Sequence, residues 1–221
     1  MTPTAFLRAR RPEHKRQRRE TILAAAHDLA CASGVRNVSL GAVAEAAGLA
    51  KSNIARYFGT REEIYLELLT EEWLQWAQAV SVRLRNTRGT AEVVAALAET
   101  ILDRPLFCDL LSHVSTSLEH NVSVPAARMF KHTLHDLLGA IGAEVARATD
   151  LTEREGVELV ATASGLAGML YAAANPPPVL AQVYAEDPEL AASRPAQLPT
   201  LVRALSALAA GLPTLRDQEH R

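Results

Sequence analysis

Apolar residues recur along this chain at spacings of three and four, and almost nowhere at a spacing of two. Ile22, Ala25, Ala26, Leu29 and Ala30 mark a helix over about 13–33, which Gly34 stops. Ser39 stands as an N-cap before "LGAVAEAA", a short helix closed by Gly48, and a second short helix over about 51–58 follows at once. Thr60 with Glu63 forms a capping box, opening a long helix through Leu66, Leu69, Trp73, Trp76 and Val80 to about Arg85. "NTRGT" at 86–90 breaks it. Further helices are expected over about 90–103, 105–119, 123–149, 152–174 and 199–211. Pro105 and Pro125 fall in first turns, and Thr152 with Glu155 forms a second capping box. "NPPP" at 175–178 ends the penultimate helix, and 185–199, with three prolines, reads as a loop or linker.

Composition agrees with an all-α fold: 48% of the 221 residues are apolar and only 5% aromatic, which makes an aliphatic core rich in Ala and Leu. The length fits one large domain or two unequal ones. No run of about eighteen apolar residues is present, so no membrane span is expected. Basic residues at the N-terminus have no apolar stretch behind them, so no secretory signal is expected either. Cys31 and Cys108 lie in apolar helical contexts and are expected to be buried, reduced thiols of a cytoplasmic protein.

Charge sharpens the picture. Residues 1–61 carry eleven Lys and Arg against four acids, and residues 62–221 carry twelve against twenty-one. The net −2 therefore conceals a basic first quarter on an acidic body, the pattern of a nucleic-acid contact confined to one end. The two short helices have the spacing of a helix-turn-helix. Ala44 is small where the second helix crosses, Gly48 suits a left-handed turn, and Val43, Ala47, Leu49 and Ile54 face inward. The outward face of the second helix is left with Lys51, Ser52, Asn53 and Arg56, donors and acceptors for base edges and phosphates in a major groove.

Residues about 16–65, "RQRRETILAAAHDLACASGVRNVSLGAVAEAAGLAKSNIARYFGTREEIYLE", resemble the DNA-binding domain of the TetR (tetracycline-repressor-like) transcriptional regulators. The resemblance implies an N-terminal three-helix helix-turn-helix domain followed by a larger helical ligand-binding and dimerisation domain. It implies that Ser39 approaches a phosphate, that Lys51, Ser52, Asn53 and Arg56 face the groove, and that Tyr57 packs or touches the DNA backbone. Arg61, with Thr60 beside it, would hold a phosphate at the start of the long helix. Two positions depart from the family pattern. Ala50 stands where a Ser or Thr commonly caps the recognition helix, so this helix is expected to order fully only on DNA. Ala55 stands where the family's "LYxYF" has an aromatic, which shifts specificity toward Asn53 and Arg56.

The domain boundaries that follow are a flexible basic arm over 1–12, a helix-turn-helix domain over 13–62, a helical body over 63–212 and a tail over 213–221. Within the body an apolar effector pocket is expected from Trp73, Trp76, Phe107, Leu111, Val114, Met129 and Met169, with His113, His132 and Tyr171 as polar fixers. A homodimer is expected through the helices at 152–174 and 199–211, with Gly165, Ala167, Gly168, Leu201, Leu205 and Leu208 at the interface. The competing possibility is a helical metal-dependent phosphohydrolase using Asp109, His113, His120, His132, His135 and Asp150, since "LHDLLG" carries a His-Asp pair. The expectation adopted is a cytoplasmic homodimeric repressor, released from double-stranded palindromic operator DNA by a small-molecule effector, with no cofactor, no bound metal and no catalytic residues.

Overall fold

A computed structural model describes the backbone of residues 3–218, and side chains over residues 13–216. Among the described residues there is no strand. Eleven α-helices are present in this span: α1 (Pro3–Ser33), α2 (Leu40–Ala46), α3 (Lys51–Ile54), α4 (Arg61–Leu84), α5 (Thr90–Leu102), α6 (Pro105–His113), α7 (Val124–Ala148), α8 (Glu153–Ala174), α9 (Pro178–Glu186), α10 (Pro188–Ala192) and α11 (Gln197–Gly211). A 3₁₀ turn at Val35–Asn37 follows α1, a π-helical turn at Val114–Leu118 follows α6, and a 3₁₀ stretch at Leu212–Gln218 follows α11.

The chain forms two compact units. The first holds residues up to Leu69 together with Val114–Phe130, and the second holds Thr70–His113 and everything from Lys131 onward. The segment 114–130, expected in the body, thus clusters with the N-terminal helices. In the first unit α1 lies against α2 and the 3₁₀ turn, and Ile22, Leu23, Ala26, Ala30, Val35, Val43, Ile54, Phe58 and Ile64 form a core in which each is 6% exposed or less. In the second, α8 lies against α6, and α11 lies against both α5 and α8. Gly168 makes the first of these contacts possible: a Cβ there would stand 2.8 Å from the Ser112 amide nitrogen and 2.9 Å from the Leu111 carbonyl carbon.

Several expectations are corrected. Residues 3–12 continue α1 as helix instead of forming a flexible arm, while Met1 and Thr2 lie outside the described residues. The loop expected at 185–199 holds the end of α9, all of α10 and the start of α11. Pro178 and Pro188 occupy first-turn positions, where their missing N–H costs nothing, and Asp187 caps α10 by accepting from the Glu189 and Leu190 amides at 3.0 and 3.1 Å. The expected tail is tied down as well, because Arg216 Nε donates to Glu155 Oε1 at 2.7 Å and its Nη2 to the Asp150 carbonyl at 2.9 Å. Residues 219–221 lie outside the described residues. Cys108 is buried as expected, but Cys31 is exposed on α1. Finally, Glu153–Ala174 and Gln197–Arg216 reach mean hydropathies of 1.4 and 1.3, long and apolar enough by composition to cross a membrane, where no such stretch was expected. Their inner faces carry the packing of α8 on α6 and of α11 on α5.

Candidate functional site

The helix-turn-helix is built as its residues dictate. Ser39 Oγ accepts from the Ala42 amide at 3.1 Å and so starts α2. Gly48 turns the chain with φ 65, a conformation that side chains with a Cβ disfavour. The Leu49 amide then donates back to the Ala44 carbonyl at 2.8 Å, and Ala44, 3% exposed, lies under the crossing. α3 is shorter than the expected helix over 51–58. It spans four residues and continues as turns, with the Arg56 amide donating to the Asn53 carbonyl and the Tyr57 amide to the Ile54 carbonyl. Ala50 provides no side-chain cap. Ile54 and Phe58 are its buried anchors.

Lys51, Ser52, Asn53 and Arg56 are exposed, and their side chains engage no other described residue. Ser39, at the start of α2, is exposed as well, and Tyr57 is half-buried. Two members of the expected DNA-facing set are spent inside the protein instead. Arg61 Nε donates to the Val38 carbonyl at 2.6 Å and Nη2 to the Val35 carbonyl, while the guanidinium lies over the Tyr65 ring at 4.7 Å. Its donors fasten the 3₁₀ turn that leads into α2, at the residue where a phosphate contact was expected. Thr60 Oγ1 accepts from the Glu63 amide at 3.1 Å and donates to the Asn121 carbonyl at 2.7 Å, so its hydroxyl is engaged on both sides.

The capping box at Thr60 takes a modified form. Glu63 reaches back one residue further than expected, accepting from the Gly59 amide at 2.7 Å, and also accepts from the Ser123 amide at 3.0 Å. Hydrogen bonds from the Ser123 side chain and amide, with the Gly59 amide and the nearby Arg19 charge, hold this carboxyl below its ordinary range. Asn121 Nδ2 donates to Glu62 Oε2 at 3.2 Å. The segment after the π turn is thus stitched to the start of α4 by two of its residues, Asn121 and Ser123. Sequence reasoning missed these contacts, and missed Arg19. From α1, Arg19 Nη1 donates to the Tyr57 carbonyl at 2.6 Å, its Nε and Nη2 grip Glu67, and its plane covers the Phe58 ring at 4.0 Å.

The residues expected to form an effector pocket divide between the two units. Trp73, Trp76 and Phe107 are buried in a cluster with centroid distances of 5.2–5.8 Å, and the Trp76 indole donates to Thr100 Oγ1 at 3.0 Å. Leu111, His113 and Tyr171 are half-buried in the same unit. His113 Nδ1 lies 2.7 Å from Ser112 Oγ and 2.9 Å from the Asp109 carbonyl. Val114 and Met129 belong to the other unit. Met129 is 72% and Met169 61% exposed, and His132 is exposed, so these three do not line an interior cavity.

The expected interface set divides by helix face. Ala167, Leu201 and Leu205 are fully buried and Gly168 packs on α6, so these four point into their own protomer. Leu208 is half-buried. Gly165 alone of the six faces open space. As for the competing metal site, no three His, Cys, Asp or Glu side chains among the described residues are grouped so as to hold a metal ion.

Known proteins fit this geometry over both parts of the chain. Residues 22–68 match the family model for bacterial regulatory proteins of the tetR family, and residues 70–216 match the model for the tetracyclin repressor-like C-terminal domain. The fold is similar to that of the fatty acid degradation regulator FadR from Bacillus halodurans, at 14% identity and a TM-score of 0.53, over 87% of this chain and 97% of that one. It is also similar to a transcriptional regulator from Rhodococcus sp. Rha1, at 19% identity and a TM-score of 0.51, over 87% of this chain and 94% of that one. No curated protein matches the chain. With the unengaged face of α3 in the first unit and a repressor-like C-terminal domain matched over 70–216, the chain belongs to the TetR family of DNA-binding transcription regulators, a family of regulators and not of enzymes.

Proposed function

We propose that this regulator works as a homodimeric repressor that leaves a palindromic operator when a small, mostly apolar effector binds its body. The observation that carries the DNA contact is the exposed, unengaged set Lys51, Ser52, Asn53 and Arg56, set on a turn whose neighbouring arginines are consumed internally. Amide and guanidinium groups in that position suit base edges, Lys51 and Ser39 suit phosphates. The protein acts in the cytoplasm, on its operator.

The dimer is supported by the outward face of α8, where Ala161, Gly165, Met169 and Ala172 are exposed, and by Leu198, Ala207 and Ala210 on α11. Small residues permit close approach, and two such helices repeated by a twofold axis make a four-helix bundle. An apolar effector is supported by the aromatic cluster and by the absence of Asp, Glu, Lys, Arg and His from 159–174, since an unpaired buried charge is costly. The effector must favour a body conformation that mis-spaces the two recognition segments, because equal affinity for both states shifts nothing. α4 runs from the Thr60 cap to the aromatic cluster and is the connecting element.

Selection of bound sequences from random duplex DNA tests the proposal. The expected result is a palindromic consensus with half-sites about one helical turn apart, bound by a dimer in light scattering. Met169→Asp is expected to give folded monomers with poor operator binding. A consensus without twofold symmetry, or a monomeric wild type at micromolar concentration, would count decisively against it.

A further inference from the structure

We propose that Arg19 is a positioning residue for sequence readout: from α1 it caps the trailing end of the recognition segment and fixes where Asn53 and Arg56 point. The proposal rests on the DNA contact argued above.

The recognition segment is poorly able to hold its own shape. α3 has four residues, far below the roughly 12–15 at which an isolated helix becomes marginal in water. Its N-cap, Ala50, offers no side-chain acceptor. At the other end the last carbonyls of any helix lack intrahelical donors, and a cation there opposes their partial negative charge. Arg19 supplies both the donor and the charge, through the 2.6 Å bond from Nη1 to the Tyr57 carbonyl. Tyr57 directly follows Arg56, and the Arg56 amide closes on the Asn53 carbonyl at 3.2 Å. Holding Tyr57 therefore holds the turn that carries both reading residues.

The clamp is itself clamped. Nε of Arg19 meets Glu67 Oε1 at 2.9 Å and Nη2 meets Oε2, a two-pronged pairing that sets the guanidinium plane against α4. That plane lies over the ring of Phe58, which is 2% exposed. One side chain thus joins α1, the end of the recognition segment and α4. A planar fork can serve carboxylate, carbonyl and ring together, whereas a lysine ammonium is a point charge with no such plane. Base readout tolerates a misplacement of only about 0.5 Å, so the loss should appear in specificity.

The test uses full-length Arg19→Gln, Arg19→Lys and Glu67→Gln with two probes: the duplex selected by the wild type and a scrambled duplex of equal length. In the free protein, amide exchange over 53–58 should quicken in Arg19→Gln while 22–30 is unchanged. Affinity for the selected duplex should fall about tenfold or more, with the scrambled duplex changed by less than about twofold and the salt slope unaltered. Arg19→Lys should not rescue, and Glu67→Gln should show a smaller loss of the same kind. Equal losses on both duplexes with a shallower salt slope would mean that Arg19 touches phosphate, and would overturn the proposal. So would unchanged exchange. If Arg19→Gln fails to fold, Glu67→Gln decides, because it keeps the Arg19 charge: unchanged exchange and affinity in that variant overturn the proposal. If the wild type selects no consensus, the DNA reading has failed, and exchange over 53–58 still decides the positioning role.

Discussion

In the first unit Lys51, Asn53 and Arg56 stand exposed with nothing in the described protein to bond, while in the body the prominent charges are spent on one another. Arg104 closes on Glu72 and Gln75, and Arg216 on Glu155. What the body leaves uncovered is apolar: Ala161, Gly165, Met169 and Ala172 on α8 and Leu198, Ala207 and Ala210 on α11 are exposed. The contrast teaches that each region advertises its partner by what it fails to satisfy internally. Unspent donors suit an anionic polymer, and uncovered aliphatic area suits another protein surface. It also separates look-alikes within a region. Arg56 and Arg61 are five positions apart, yet one faces outward and the other fastens two backbone carbonyls.

That last pair offers the sharpest way to break the comparison. Arg61→Ala leaves the Val35 and Val38 carbonyls without their donor, and should lower folding stability by about 2–4 kcal/mol, read as a lower urea midpoint. Binding to every duplex should weaken with it. Arg56→Ala should leave the midpoint within about 0.5 kcal/mol of wild type and cost about 1–3 kcal/mol on the selected sequence alone. Equal midpoints for the two variants would erase the distinction between internal and outward arginines.

A second pair tests the two faces of α8. Gly168→Ala drives a methyl group into the backbone of α6 and should destabilise by about 1–3 kcal/mol. Gly165→Ala meets open space and should be neutral or gain up to about 1 kcal/mol from helix propensity. Thermal unfolding at one fixed protein concentration compares them, and a larger loss at Gly165 would mean that the outward face is more tightly covered than proposed.

The smallest effect concerns the charges that the body spends internally. Hydrogen bonds from Arg216 hold the Glu155 carboxyl down to about 2, from an ordinary 4.5. A lowered carboxylate stabilises the fold above its unfolded value and loses that contribution as pH falls toward its folded one. Stability should therefore decline more steeply between 4.5 and 2 in the wild type than in Arg216→Gln. Parallel pH profiles from urea unfolding would show that the pair contributes nothing.

Most of the architecture was legible because helical periodicity and caps are local. Ser39, Gly48 and the Thr152–Glu155 box act within a few residues of where they stand, and the structure has all three in those roles. Prolines at 188 and 199 were read as loop, since a missing N–H breaks a helix interior but is harmless in a first turn: Pro188 opens α10 and Pro199 sits in the first turn of α11. The site was legible only where side chains point to solvent. Arg61 finds its carbonyls 23 and 26 residues upstream, and Arg19 finds Glu67 48 residues on, distances over which periodicity carries no information. The faces of α8 were unreadable for another reason: with small or apolar residues nearly all round, Ala167 and Gly168 look no more internal in sequence than Ala161 and Gly165.

The segment 114–130, which joins the N-terminal helices, bears on how the protein is made. Thr60 donates to a carbonyl 61 residues further along, and Glu63 waits 60 residues for Ser123. At about 5–20 residues per second on the ribosome, the DNA-binding end emerges several seconds before the strands of chain that complete it. During that interval Thr60, Glu62 and Glu63 face water without these partners. The nascent chain therefore holds a finished helix-turn-helix sequence whose last stitches depend on synthesis proceeding through Ser123, and a chain arrested before that point would lack the bonds that fasten the start of α4.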